Sequence, residues 1–162
     1  MYDVFKVVNW LRVRNNADMR QNPNIEELSQ MKVMKLLYYI QAASLSISGK
    51  RMFDNDIVAW KYGPVVEAVH RKYSGCRGIV NSNYPITPQD LEDYKELQAD
   101  EQASSILNSI YDVYGYSSAY DLMRQTHSEK PWQQTPHNRV IKDKYIKDFY
   151  QLLILFPSFY GS

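Results

Sequence analysis

Residues 31–73, MKVMKLLYYIQAASLSISGKRMFDNDIVAWKYGPVVEAVHRKY, decide the fold. Val33, Leu36, Leu37, Ile40, Ser44 and Ile47 recur at helical spacing on one face, with Met34, Tyr38, Gln41 and Leu45 as a flanking stripe. An apolar face this wide needs neighbours on several sides, so this helix is expected at the centre of the domain. Gly49 supplies the stop, because helices commonly end on a residue of positive φ. Ile57 to Tyr62 is rich in β-branched and aromatic residues and reads as a short extended segment. Gly63-Pro64 comes next. Proline suits the first turn of a helix, where its missing N–H would have no intrahelical partner. A further helix is therefore expected through Val65, Val66, Val69 and Tyr73, ending near Gly75.

Helical periodicity continues on both sides of this stretch. Val4, Val8 and Leu11 share one stripe of a first helix running from Asp3 to about Arg14, and Asn15 to Asn24 is polar enough to read as a loop. Ile79 to Tyr84 is a candidate to pair with the extended segment in a small hairpin. Thr87-Pro88-Gln89-Asp90 carries a cap, a first-turn proline and an acid at the positive end of the helix dipole. That helix runs to about Gln98. Asp100 either caps the next one, striped by Ala103, Ile106, Leu107, Ile110 and Tyr114, or lies inside one continuous helix. Ser117 or Ser118 caps a helix ending near His127, Pro131-Trp132 opens a short turn, and Ile141, Tyr145, Phe149, Leu152 and Leu153 define a last helix broken at Pro157. The expected class is all-α: a compact bundle of about six or seven helices with at most a small β-hairpin, one domain over residues 1–162.

Composition narrows the function. A chain of 162 residues suits one domain and can bury a core without a metal or disulfide staple. The single cysteine, Cys76, has no internal partner. There is no charged-then-apolar leader and no run of about 18 apolar residues, so a cytoplasmic protein without a membrane partner is expected. The net charge of +1 exerts no global pull on nucleic acid. Charge is nevertheless uneven. Acids concentrate between Asp90 and Glu101, where they either steer a charged partner or form a solvated helix face.

Catalytic spacing is not visible. His70, His127 and His137 are too far apart in sequence for two to share a helix face, and HExxH, CxxC, P-loop and GxGxxG patterns are absent. No metal and no cofactor is expected. Ser118 or Cys76 with His127 and Asp121 would have to be assembled across the fold to make a nucleophile and base. Arg12, Arg14, Lys50-Arg51 and Arg71-Lys72 are modest basic clusters with no readable helix-turn-helix, so direct nucleic-acid binding is not expected. Fourteen tyrosines and three tryptophans stand out, since such side chains pair a large apolar face with a polar tip. Trp60, Tyr62 and Trp132 lie beside Gly63-Pro64 and Pro131. They form either a docking surface for a partner or a core corner in which His127 bonds a carbonyl or carboxylate.

Two blocks of the chain resemble a known family. Lys35-Leu36-Leu37-Tyr38-Tyr39, Gly49-Lys50 before Met52-Phe53-Asp54, and Ala59-Trp60-Lys61-Tyr62-Gly63-Pro64-Val65-Val66 look like the core signature of the Panacea-domain antitoxins, which include GepA-like and SocA-like phage-associated proteins. Ser118-Ala119, Leu122, Thr126-His127, Glu129 and Pro131-Trp132 resemble its downstream motif. Ala43 and Ser44 depart from it, standing where an aromatic and a bulkier residue are common. The resemblance implies a mainly helical antitoxin that binds and neutralises a toxin encoded by an adjacent gene. It implies that Trp60, Gly63, Pro64, His127 and Trp132 matter, for fold or for partner; with Tyr62 and Pro131 from the aromatic cluster beside them, these are the candidate motif or partner-binding residues. One branch of the family delivers its toxin to a host protease, so a proteolytic adaptor is the alternative reading. A hydrolase or transferase built around His127 is the third.

Overall fold

The structure is a computed structural model that describes residues 1–155, with side chains described to 151. Eight helices and one two-stranded hairpin follow in the order α1 (Val4–Gln21), α2 (Gln30–Ser48), β1 (Val58–Trp60), β2 (Gly63–Val65), α3 (Glu67–Lys72), α4 (Pro88–Ala99), α5 (Glu101–Tyr114), α6 (Ala119–His127), α7 (Lys130–Gln133) and α8 (Asp143–Leu155). The mainly helical class expected from periodicity is the class observed.

The centre is α2. It packs against α1, α5, α6, α8 and β2, and every residue from Val33 to Ala42 is buried. Ser29 caps its start by accepting the Lys32 amide, and Gly49 ends it at φ 73°. The expected stripe stops short, however. Ile47 is 63% exposed, so the last turn of α2 turns that position to solvent.

α1 is longer than its apolar stripe suggests. Its second half is polar but well packed rather than looped. Asn15 donates to the Glu26 carbonyl and accepts the Leu28 amide, and Asp18 accepts the Tyr111 and Tyr116 hydroxyls. The Arg14 guanidinium lies over the Tyr111 ring at 4.7 Å. These side-chain partners come from distant parts of the chain, so a local reading of polarity places the end of the helix too early.

The hairpin also differs from expectation. β1 pairs antiparallel with β2, in the register Val58 to Val65, Ala59 to Pro64 and Trp60 to Gly63. Lys61-Tyr62 is the turn, and Gly63 holds a φ of 109°, which side-chain-bearing residues avoid. Pro64 is therefore a strand residue, not the opening of a helix, and α3 begins only at Glu67. The pairing explains why proline is tolerated. Ala59 spends its amide and carbonyl on the opposite side, on the Arg139 carbonyl and the Asn138 amide, so no bond from residue 64 is missed. Ile79 to Tyr84 does not join this hairpin. The Ile79 amide donates to Leu28, and Asn81 and Tyr84 close a turn on themselves.

Capping follows the sequence closely. Thr87 and Asp90 form a reciprocal capping box, Asp100 caps α5 and separates it from α4, and Ser118 rather than Ser117 caps α6. In α8, Ile146 and Phe149 are buried while Tyr145 is only partly so. The side chains of Leu152 and Leu153, and Pro157 altogether, lie outside the described residues.

A buried polar joint locks α1 to α4. Arg12 meets Asp90 at 2.8 Å and donates further to Asn9 and to the carbonyls of Ile79, Tyr84 and Pro85. Asn9 donates to Asp93 at 2.9 Å. Two acids of the Asp90–Glu101 run thus face inward and hold the fold, whereas Glu92 and Glu96 stay outside.

Candidate partner-binding site

The motif residues of the two blocks meet at one corner. The Trp132 indole N–H donates to the Trp60 carbonyl at 2.9 Å, joining α7 to the hairpin. His127 stacks on Trp132 with ring centroids 4.0 Å apart. Gly63 is the tight point. A Cβ there would stand 2.7 Å from Lys35 Cε and 3.0 Å from Thr126 Oγ1, so only glycine lets the hairpin close on α2 and α6. Pro64 and Pro131 are buried at the same corner, while Tyr62 points outward, 55% exposed. Of the seven residues expected to matter, Gly63, Pro64, His127, Pro131 and Trp132 build the corner, and Trp60 and Tyr62 reach a surface beside it.

That surface is an open groove of about 1010 Å³ between the first turns of α2, the hairpin, α3 and the start of α6. Trp60, Val65 and Met34 line it, together with the exposed Tyr62, Met31 and Tyr120. His70 braces the Trp60 ring edge-on at 4.9 Å and is itself held by Gln30 at 2.8 Å. Large aromatic faces with polar tips, set in a concave and partly desolvated surface, are what protein interfaces use as anchors.

Two lysines of α2 also line the groove. Lys35 is only 2% exposed, and its Nζ reaches one oxygen, the Pro64 carbonyl, at 3.4 Å. Burial pulls its amine down to about 8. Lys32, one turn earlier on the same face, is also pulled down by burial, with Glu26 acting weakly against the shift. Among the described residues neither lysine has an ion-pair partner.

Behind the corner sits a buried acid. Glu129 Oε1 accepts the Tyr150 hydroxyl at 2.7 Å and the Tyr39 hydroxyl at 3.3 Å, and Tyr39 stacks on Tyr114 at 4.2 Å. Burial lifts this carboxyl to about 7, against the pull of those hydroxyls. The surrounding rings of Tyr38, Tyr39 and Tyr150 are pushed upward, chiefly by the same burial. Sequence reading passed over Glu129, Lys32 and Lys35 as chemistry. The available signal was Lys35 itself, a cation flanked by Met34 and Leu36 in the most apolar helix of the chain.

The groups that a catalytic reading would assemble are occupied elsewhere. The Ser118 hydroxyl accepts the Asp121 amide as a helix cap, Asp121 is exposed, and Cys76 Sγ lies 3.1 Å from the Tyr84 hydroxyl. Among the described residues, no hydrogen bond joins any of them to His127, whose Nε2 is buried without a partner. Burial, and then the charge of Lys35, pull the His127 imidazole down. Among the described residues no cluster of three or more His, Cys, Asp or Glu side chains could share a metal ion, and no helix is long and apolar enough to cross a membrane.

No curated protein and no solved structure matches the chain significantly. A family model does match: the SocA-like antitoxin, Panacea domain, over residues 33–133. The match begins inside α2, takes in the hairpin and ends in α7, so it covers most of the corner and much of the groove. The two blocks read from the sequence and the fold that joins them lead to one assignment: the chain belongs to the SocA-like, Panacea-domain family of antitoxins.

Proposed function

We propose that this protein neutralises a cognate toxin by direct, stoichiometric binding, with the groove beside the Trp60–Trp132 corner as the docking surface. The observation that carries the reading is that the family-matched segment builds both the corner and most of an adjoining concave surface with exposed Tyr62 and Tyr120, to which Met31, just ahead of the matched segment, adds a third exposed apolar side chain. In this reading Trp60 and Tyr62 touch the toxin. Gly63, Pro64, His127, Pro131 and Trp132 hold the hairpin in place for them. A stable complex of this kind buries roughly 1,200–2,000 Å², and the groove supplies the anchoring part of that area.

The test is co-expression with the product of the adjacent gene. Growth rescue with a co-purifying complex of fixed ratio supports the proposal, and Tyr62→Ala together with Tyr120→Ala should weaken that complex while leaving the melting temperature nearly unchanged. Rescue at strongly substoichiometric levels, with no complex and a chemically altered toxin, would establish turnover instead. Disappearance of the toxin only when a host protease is present would establish the adaptor reading.

A further inference from the structure

The groove contains more than an apolar face. Two cations border it: Lys35, which the fold removes from water, and Lys32, which it half-buries, and among the described residues neither is neutralised by an ion pair. Lys32 and Lys35 are three residues apart on α2 and so project from one side of the helix. Both line the groove. Lys35 is almost wholly enclosed, yet it has one hydrogen-bond acceptor for three N–H donors, at the long distance of 3.4 Å. Glu26 and Glu27 are the acids on the groove wall, and neither forms an ion pair with these lysines. Glu27 accepts from Asn81 and lies against Gly78, which removes it from the lysine side. Arg77, His70, Cys76, Tyr62 and Tyr120 are the other titratable side chains of the lining; His70 is engaged with Gln30 and Cys76 lies against the Tyr84 hydroxyl.

A buried cation left short of partners lowers the stability of the free protein, and such groups concentrate at functional sites. The same protein pairs its other enclosed cation, Arg12, with an aspartate and three carbonyls. At the groove, by contrast, Lys35 is enclosed with one long contact, and Lys32 beside it is half-buried with no ion-pair partner among the described residues. We infer that the occupant of this groove is a segment of the bound toxin that carries an aspartate or glutamate side chain, whose carboxylate pairs with Lys35 and Lys32 while apolar neighbours pack on Trp60, Tyr62 and Tyr120. This rests on the antitoxin reading above and names the chemistry the partner must bring. Closure of the complex would supply the missing acceptors and exclude water from them, which strengthens the charge-assisted bonds.

The test compares wild type with Lys35→Met and Lys32→Met against the purified product of the adjacent gene. Methionine keeps the length and apolar stem, so the expected Lys35→Met protein melts no lower than wild type but binds at least about tenfold more weakly. Lys32→Met should also bind more weakly, and replacing one acidic residue of the partner should lose no further affinity in the Lys35→Met background. Two methionine variants that bind within about twofold of wild type, while the wild-type complex forms normally, would overturn the carboxylate inference and leave the antitoxin reading intact. If the wild-type complex does not form, the antitoxin reading fails. The lysine pair is then tested alone, with an oligoglutamate peptide and NMR observation of the lysine side-chain nitrogens. Shifts at Lys32 and Lys35 with oligoglutamate, but not with oligoglutamine or inorganic phosphate, support the inference. No shift, or an equal shift with phosphate, overturns it.

Discussion

Arg12 and Lys35 are both enclosed cations, and the protein treats them in opposite ways. Arg12 sits in the α1–α4 joint with a carboxylate at 2.8 Å and carbonyls from three residues around its guanidinium. Lys35 sits at the groove with one long contact and no acid. A buried charge with its partners in place is part of the architecture. One without them is a cost that folding does not explain. Glu129 is an intermediate case, enclosed with hydroxyl donors but no cation.

The largest effect should come from breaking the satisfied side. Arg12→Met strands Asp90 in the joint and should lower unfolding free energy by about 3–5 kcal/mol in urea titrations. A loss below about 1 kcal/mol would mean that the joint is not the lock described here.

The intermediate case is tested by pH. The Glu129 carboxyl is lifted from 4.5 to about 7, so the folded state holds its proton over a range in which the unfolded chain has released it. Folding stability attributable to this group is therefore full below pH 4.5, falls as pH rises, and levels off above 7, a total of about 3 kcal/mol. Glu129→Gln should flatten that slope. A slope unchanged in the variant would assign the pH dependence to other groups.

Lys35 has the opposite linkage. Its amine is lowered from 10.5 to about 8, so the folded state gives up its proton more readily than the unfolded one. The penalty is complete below pH 8 and fades as pH rises to 10.5. Lys35→Met should then raise stability near neutral pH by about 1–3 kcal/mol, with the gain shrinking at alkaline pH. A melting temperature that falls instead would place Lys35 with Arg12 among the structural cations, and would erase the contrast.

The smallest effect separates the two faces of α4. Glu92 is exposed and pairs loosely with Lys95 at 3.5 Å, so Glu92→Lys should change stability by less than about 0.5 kcal/mol in thermal melts. Asp93, buried against Asn9, should be far less tolerant of the same replacement.

Elements whose cause is local were legible from residues alone. The breadth of the α2 stripe announced a central helix, Gly49 its stop and Thr87 the start of another, because a cap or an apolar face is written within a few residues; Asp100 and Ser118 were each one of two local alternatives, and the structure chose between them. The family blocks were legible for the same reason. Errors arose where distant partners intervened. The polar half of α1 is helical because Tyr111, Tyr116, Glu26 and Leu28 meet it there. Gly63-Pro64 is a strand because residues 138–141 take up the hydrogen bonds on the far side of β1. The acidic run divides into lock and surface because α1 covers only one side of α4.

By itself, then, the sequence determined a helical domain, its central helix, the Thr87 cap and the antitoxin family. Tertiary structure alone decided which charges are enclosed and which of those are paired. A lysine in an apolar helix reads the same whether its amine reaches a carboxylate, solvent or nothing. Desolvation and pairing depend on atoms brought together from β2, α6 and the groove wall, and no local spacing encodes them.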